Sequence, residues 1–193
     1  METLEAIATR RSNRQFKADP IPQDVLEKIL NAAIMAPSGK NRQPWRFIVI
    51  REDKRSEMVA RMRAGIANAK AQGDNIGSAE GTAAVMEQAP ATVFIFNTDG
   101  KPPWLDHSIG ELFWETVCMQ SIGAAIQNMC LAARALGLGS LWICDVFYAY
   151  EELAQWMGQD TQMVAAVSLG YPADNPAVFS RKPLADVTVW LGR

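Results

Sequence analysis

Residues 121–142 read SIGAAIQNMCLAARALGLGSLW. Ile122, Ala125, Ile126, Met129, Ala132, Ala133 and Leu136 recur at three- and four-residue spacing, which gathers them on one face of a helix. With the residues before it, the pattern predicts a helix over Glu111–Leu136, the longest in the chain, whose alanines let another backbone pack closely. Gly137 and Gly139 end it, and Ser140–Cys144 reads as a turn entering a short strand.

Outward from this junction the chain alternates helices with short apolar runs. Towards the N-terminus, Ala91–Asn97 is ATVFIFN, a continuous apolar run suited to a strand covered on both faces. The DGKPPW that follows predicts an exposed or partly lid-like loop. Helices are predicted over Thr3–Ala8, over Gln23–Ala36 until Pro37 stops it, from about Glu52 to Lys70, and over Thr82–Gln88. Arg46–Arg51, RFIVIR, reads as a strand. Towards the C-terminus, Tyr150–Met157 reads as a helix, Met163–Leu169 as a strand, and the closing DVTVWLG, residues 186–192, as another strand. No GxGxxG joins a strand to a helix, so a Rossmann site is disfavoured. The expectation is one α+β domain over residues 1–193.

The composition narrows the function. Twenty-one acidic against 19 basic residues give a net charge of -2, which supplies no global field for nucleic acid. A hydrophobic fraction of 49% indicates an ordinary folded core. The opening METLEAIATRRSNR lacks the apolar segment of a secretory signal, and Gln127, Asn128 and Cys130 break the longest apolar run, so no membrane partner and a cytoplasmic location are expected. Cys118, Cys130 and Cys144 form no CxxC pair and His107 is the lone histidine, which argues against a disulfide framework and a metal site.

Two segments carry chemistry. Arg10, Arg11, Ser12 and Arg14 crowd the end of the first helix, where guanidinium forks and a hydroxyl suit a phosphate; a solvated charge cluster accounts for them equally well. PSGKNRQPW at Pro37–Trp45 joins a restrictive proline to a permissive glycine and to amides. Ser38 and Asn41 there could meet the heteroatom edge of a planar ring, or the turn could be a helix stop before a packed aromatic.

RRSNR at Arg10–Arg14 with Phe16, APSGKNRQPW at Ala36–Trp45, the quoted helix and turn, VSLGYP at Val167–Pro172 and SRKPLADV at Ser180–Val187 together resemble the nitroreductase family over almost the whole chain. The resemblance implies an α+β fold with a mixed sheet flanked by helices, a long central helix, and an interlocked homodimer sharing two FMN sites. It also implies that Arg10 and Arg181 bind the FMN phosphate, with Arg11 and Ser12 beside them. Arg14 would lie at the polar end of the flavin, where positive charge favours the reduced ring. Pro37, Ser38 and Asn41 would come from the partner subunit, Gly139 and Ser140 would approach the flavin from the other side, and Asn68 would contact the ring. A plain helix cap is the competing role for Gly139.

Two positions depart from the family pattern: Phe179 stands where relatives can carry a further basic phosphate ligand, and Ser121 where an acidic residue is frequent. The implied reaction is a ping-pong cycle in which NADH or NADPH reduces FMN and a small electrophilic acceptor, such as a nitroaromatic or quinone, then reoxidises it. No protein nucleophile is needed. Trp104, Phe113 and Trp114 are candidates for the substrate face. The alternative is a noncatalytic FMN-binding or regulatory protein on the same scaffold.

Overall fold

The computed structural model describes residues 1–192. Its centre is a sheet of β1 (Trp45–Arg51), β2 (Ala91–Asn97), β3 (Gly139–Ile143) and β4 (Gln162–Gly170), in the spatial order β1-β2-β4-β3. Every pairing between these strands is antiparallel, which corrects the mixed sheet that the resemblance implies. β4 lies between β2 and β3 and runs against both, so no pair of neighbouring strands needs a parallel crossover. Among the described residues the parallel element is an isolated bridge from Ser12 to Ser140.

β2 is buried along its whole length, and its side chains alternate between two cores. Phe94 and Phe96 enter one with Met58, Met62, Met86 and Leu153. These come from α3 (Lys54–Ala71), α4 (Ala79–Gln88) and α6 (Tyr150–Trp156). Val93 and Ile95 enter the other, with Ile29 of α2 (Gln23–Ile34) and Ile122, Ile126 and Met129 of α5 (Ile109–Ala135). The architecture is therefore a sheet between two helical layers, which is the arrangement an α+β domain needs to bury both sheet faces. Polar pairs inside this sheet are satisfied: the hydroxyls of Thr92 and Ser168 lie 2.9 Å apart, and Asn97 Nδ2 donates to Gln162 Oε1 at 2.9 Å.

α5 begins two residues before the predicted start because a capping box fixes it. Ser108 Oγ accepts from the Glu111 amide at 3.3 Å, and the Glu111 carboxylate accepts from the Ser108 amide at 2.7 Å. At the other end Gly137 has φ +82°, its amide donates to Arg134 O, and the Leu138 amide donates to Ala133 O. That is a Schellman cap, so Gly137 and not Gly139 closes the helix.

The chain after β4 departs from expectation. Residues 186–192 form no strand; a short helix α7 (Leu184–Val187) precedes an irregular end. Val189, Trp190 and Leu191 are exposed. Their alternation is that of a strand, but within this chain no sheet edge meets them, and a strand without ladder partners has nothing to hold it.

Candidate functional site

The segment after α1 (Thr3–Thr9) is stitched into place by backbone hydrogen bonds. The Asn13 amide donates to Ser140 O at 2.9 Å, the Lys17 amide to Tyr171 O at 2.9 Å, and the Ala173 amide to Gln15 O at 3.0 Å. This strip is extended, so successive side chains point to opposite sides. Asn13 is buried while Ser12 and Arg14 face outwards. Gly139 makes the close approach possible, since a Cβ there would stand 2.6 Å from Asn13 Cγ.

On the outward side lies a cleft of about 310 Å³ lined by Arg10, Arg11, Ser12, Arg14 and Arg181, with the carboxylate of Asp174 in the same wall. The same stitching that pairs residues 15–17 with 171–173 starts the tail beside this strip, and so carries Arg181 to Arg10 across a sequence gap that no local pattern spans. Among the described residues none of these four guanidiniums is in an ion pair. Arg181 donates only to the carbonyls of Phe179 and Ser180, at 3.2 and 3.4 Å, and Arg11 to those of Ala8 and Arg10, at 2.7 and 2.8 Å. Phe179 lines the cleft with its apolar ring, so this position adds no charge.

Arg14 also lines a second cleft, of about 390 Å³, whose wall includes Leu141, Trp142 and Ile143 of β3. Asp145 closes it, its Oδ2 accepting from Ser78 Oγ at 2.9 Å and Thr82 Oγ1 at 2.6 Å. Cys144 also lines it; burial and then the charge of Asp145 push that thiol up, which keeps it a thiol and not a nucleophilic thiolate. The sequence reading stopped at Ser140 and missed Trp142, Cys144 and Asp145. The signal was present in GSLWICD, where the inward Leu141 and Ile143 alternate with the outward Trp142 and Cys144.

Pro37, Ser38 and Asn41 line neither cleft within one chain. Their turn is tight: Lys40, Asn41 and Gln43 all have φ near +50°, and Ser38 Oγ accepts from the Gln43 amide at 3.0 Å. Gly39 seats the turn on α5, because a Cβ there would stand 2.5 Å from Val117 Cγ1. Ser121 makes the contact at this place, its Oγ accepting from the Gly39 amide at 3.3 Å. Trp114 is flanked by Lys40 Nζ and Arg42 Cζ, each 5.7 Å from the ring centroid. Phe113 is exposed, while Trp104 stands edge-on to Tyr150 at 4.7 Å. Asn68 is placed apart from the arginine strip: it donates to Glu152 Oε1 at 2.7 Å and lines a separate concavity beside Trp104. Among the described residues no cluster of three or more His, Cys, Asp or Glu side chains is placed to hold a metal, and no helix is long and apolar enough to cross a membrane.

The nitroreductase family model matches residues 7–171, which include the arginine strip, the 37–45 turn, α5 and the wall of β3. The chain belongs to the nitroreductase family. This nitroreductase-family chain is 34% identical over 179 residues to a protein of Archaeoglobus fulgidus assigned as an NADH dehydrogenase/NAD(P)H nitroreductase, covering 90% of the chain and 87% of that protein. It is 34% identical over 176 residues to the 5,6-dimethylbenzimidazole synthase of Rhodobacter capsulatus, covering 87% and 82%. A Desulfovibrio desulfuricans protein assigned as a nitroreductase, solved in complex with FMN, superposes with a TM-score of 0.77 at 28% identity, covering 100% of the chain and 98% of that structure. By this membership the chain is an oxidoreductase, with the FMN-dependent activity typical of the family.

Proposed function

We propose that this nitroreductase-family chain holds FMN with its phosphate in the arginine cleft and its ring against β3, and passes electrons from NADH or NADPH to a small electrophilic acceptor such as a nitroaromatic or quinone. The observation that carries the reading is the place of Arg14, which lines both a cleft of unpaired guanidiniums and a second, largely apolar slot. A charged tail and a planar ring joined end to end need that sequence of surfaces, and the donor set fits them. FMN itself supplies the two-electron relay between donor and acceptor.

The residues do the binding and the tuning. Arg10 and Arg181 hold the phosphate by charge-assisted hydrogen bonds, with Arg11 and Ser12 at its side. Arg14 sets a positive charge at the polar edge of the ring, and Gly139 and Ser140 fix the strip that carries these groups. Pro37, Ser38 and Asn41 come from a second subunit of a homodimer; their exclusion from the clefts of their own chain supports this, as does the exposed apolar tail at Val189, Trp190 and Leu191. Asn68 reaches the ring only if it exchanges its bond to Glu152 for one to the flavin. Trp114 and Phe113 face the acceptor, which takes the place of the departed nicotinamide in a ping-pong cycle. The free thiols Cys118, Cys130 and Cys144 suit a reducing cytoplasm.

The test is anaerobic. FMN-loaded protein mixed with NADH or NADPH should lose the absorbance of oxidised flavin and regain it on adding a quinone or nitroaromatic. Failure of both donors under saturating FMN contradicts the reading. The likeness to a 5,6-dimethylbenzimidazole synthase supports a second reading, in which the chain makes a benzimidazole; a benzimidazole released when the reduced, FMN-loaded protein is exposed to air selects it.

A further inference from the structure

We propose a second anion site, beside the cleft assigned to FMN and sharing Arg10, Arg11 and Asp174 with it, which takes a phosphate group. A cleft of about 190 Å³ lies there, between the end of α1, the last turn of α5 and the start of the tail. Arg10, Arg11 and Arg134 line it against the single carboxylate of Asp174. Among the described residues none of the three guanidiniums is in an ion pair. Arg134 is held in orientation, its Nε donating to Thr9 Oγ1 at 3.1 Å while Thr9 donates to Glu5 O at 2.7 Å, and its terminal nitrogens stay free for a ligand.

Asn13 gives the independent sign of an occupant. It is only 6% exposed and lines this cleft, yet its carboxamide makes no side-chain hydrogen bond among the described residues. Its polar atoms are open to the cleft, where an oxygen-rich anion is a partner for both the amide and the guanidiniums. The volume suits a phosphate group and not a flavin ring. The site rests on the functional reading in that FMN fills the adjoining Ser12–Arg181 cleft and shares Arg10 and Arg11 with it, which leaves Arg134 as the guanidinium particular to this site.

Isothermal titration of FMN-saturated protein with inorganic phosphate tests this, with chloride at matched ionic strength as the control. The expected result is a saturable phosphate site, one per subunit beyond FMN, absent with chloride. Arg134→Gln should weaken it at least about tenfold, the loss of one charged fork, with FMN retention unchanged. Asp174→Asn should tighten it, and settles the matter if the arginine variant does not fold. No saturable binding to the unaltered protein, equal affinity in R134Q, or no gain in D174N overturns the site. Loss of FMN binding, read separately by flavin fluorescence, would count instead against the functional reading.

Discussion

Asn13 occupies the space that a side chain on Gly139 would need: its Cγ lies 2.6 Å and its Oδ1 2.7 Å from the position of that missing Cβ. The arginine strip reaches β3 only because residue 139 has no side chain. Gly139→Ala should therefore cost about 1–3 kcal/mol of stability through overpacking. It should also weaken FMN at least about tenfold by pushing Ser12 and Arg14 off the sheet, as charged hydrogen bonds fail at altered geometry. Chemical denaturation and flavin titration read the two effects, and an alanine variant with unchanged values of both would refute the packing argument.

Arg10→Ala and Arg181→Ala should each lower FMN affinity by about 10–100-fold, the value of one charge-assisted fork to phosphate. Neither guanidinium holds an ion pair among the described residues, so the melting temperature of the FMN-free protein should stay as it is. Fluorescence titration measures the first quantity and calorimetry the second.

Arg14→Ala acts on the redox step. Removing a positive charge from the polar edge of the ring should make the two-electron midpoint potential more negative by about 30 mV or more, equivalent to a tenfold change in the equilibrium. A spectroelectrochemical titration reads the shift, and a potential unchanged within error would remove Arg14 from this role.

The start of α5 predicts an acid-sensitive cap. The hydrogen bond from Lys101 first, and those from the Ser108 amide and hydroxyl next, lower the Glu111 carboxyl from 4.5 to about 2. A carboxyl lowered in the folded state contributes its stability above the unfolded value and loses it as pH falls through the folded one. The cap should thus weaken from about pH 4.5 down to about 2 and hold above that window. Glu111→Gln should flatten this part of the stability–pH profile; an identical acid limb in the variant would exclude Glu111 as its source.

The sequence made the buried centre legible because its periodicities report burial directly. ATVFIFN gave β2 to the residue, since a strand covered on both faces has no polar side to blur its ends. The helix over 121–136 was equally clear, but its start was misplaced because the Ser108–Glu111 box lies outside the apolar pattern. DVTVWLG failed as a strand because alternation states which side chains seek burial and not whether the neighbour lies in the same chain. Ser12 and Arg14 stand out by their crowding with Arg10 and Arg11, and Arg181 by resemblance alone, whereas Asn13 was passed over, although a polar residue between two outward ones on an extended strip must point inwards. Asp145 was invisible for a different reason: its partners Ser78 and Thr82 stand more than sixty residues away.

The most direct test of the central claim, that unpaired guanidiniums anchor a flavin by its phosphate, compares FMN with riboflavin, which has the same ring and no phosphate. Fluorescence titration of the cofactor-free protein should show FMN bound at least about 100-fold more tightly, the value of two charge-assisted contacts. Equal affinity for the two would mean that Arg10 and Arg181 hold no phosphate, and the account would be wrong.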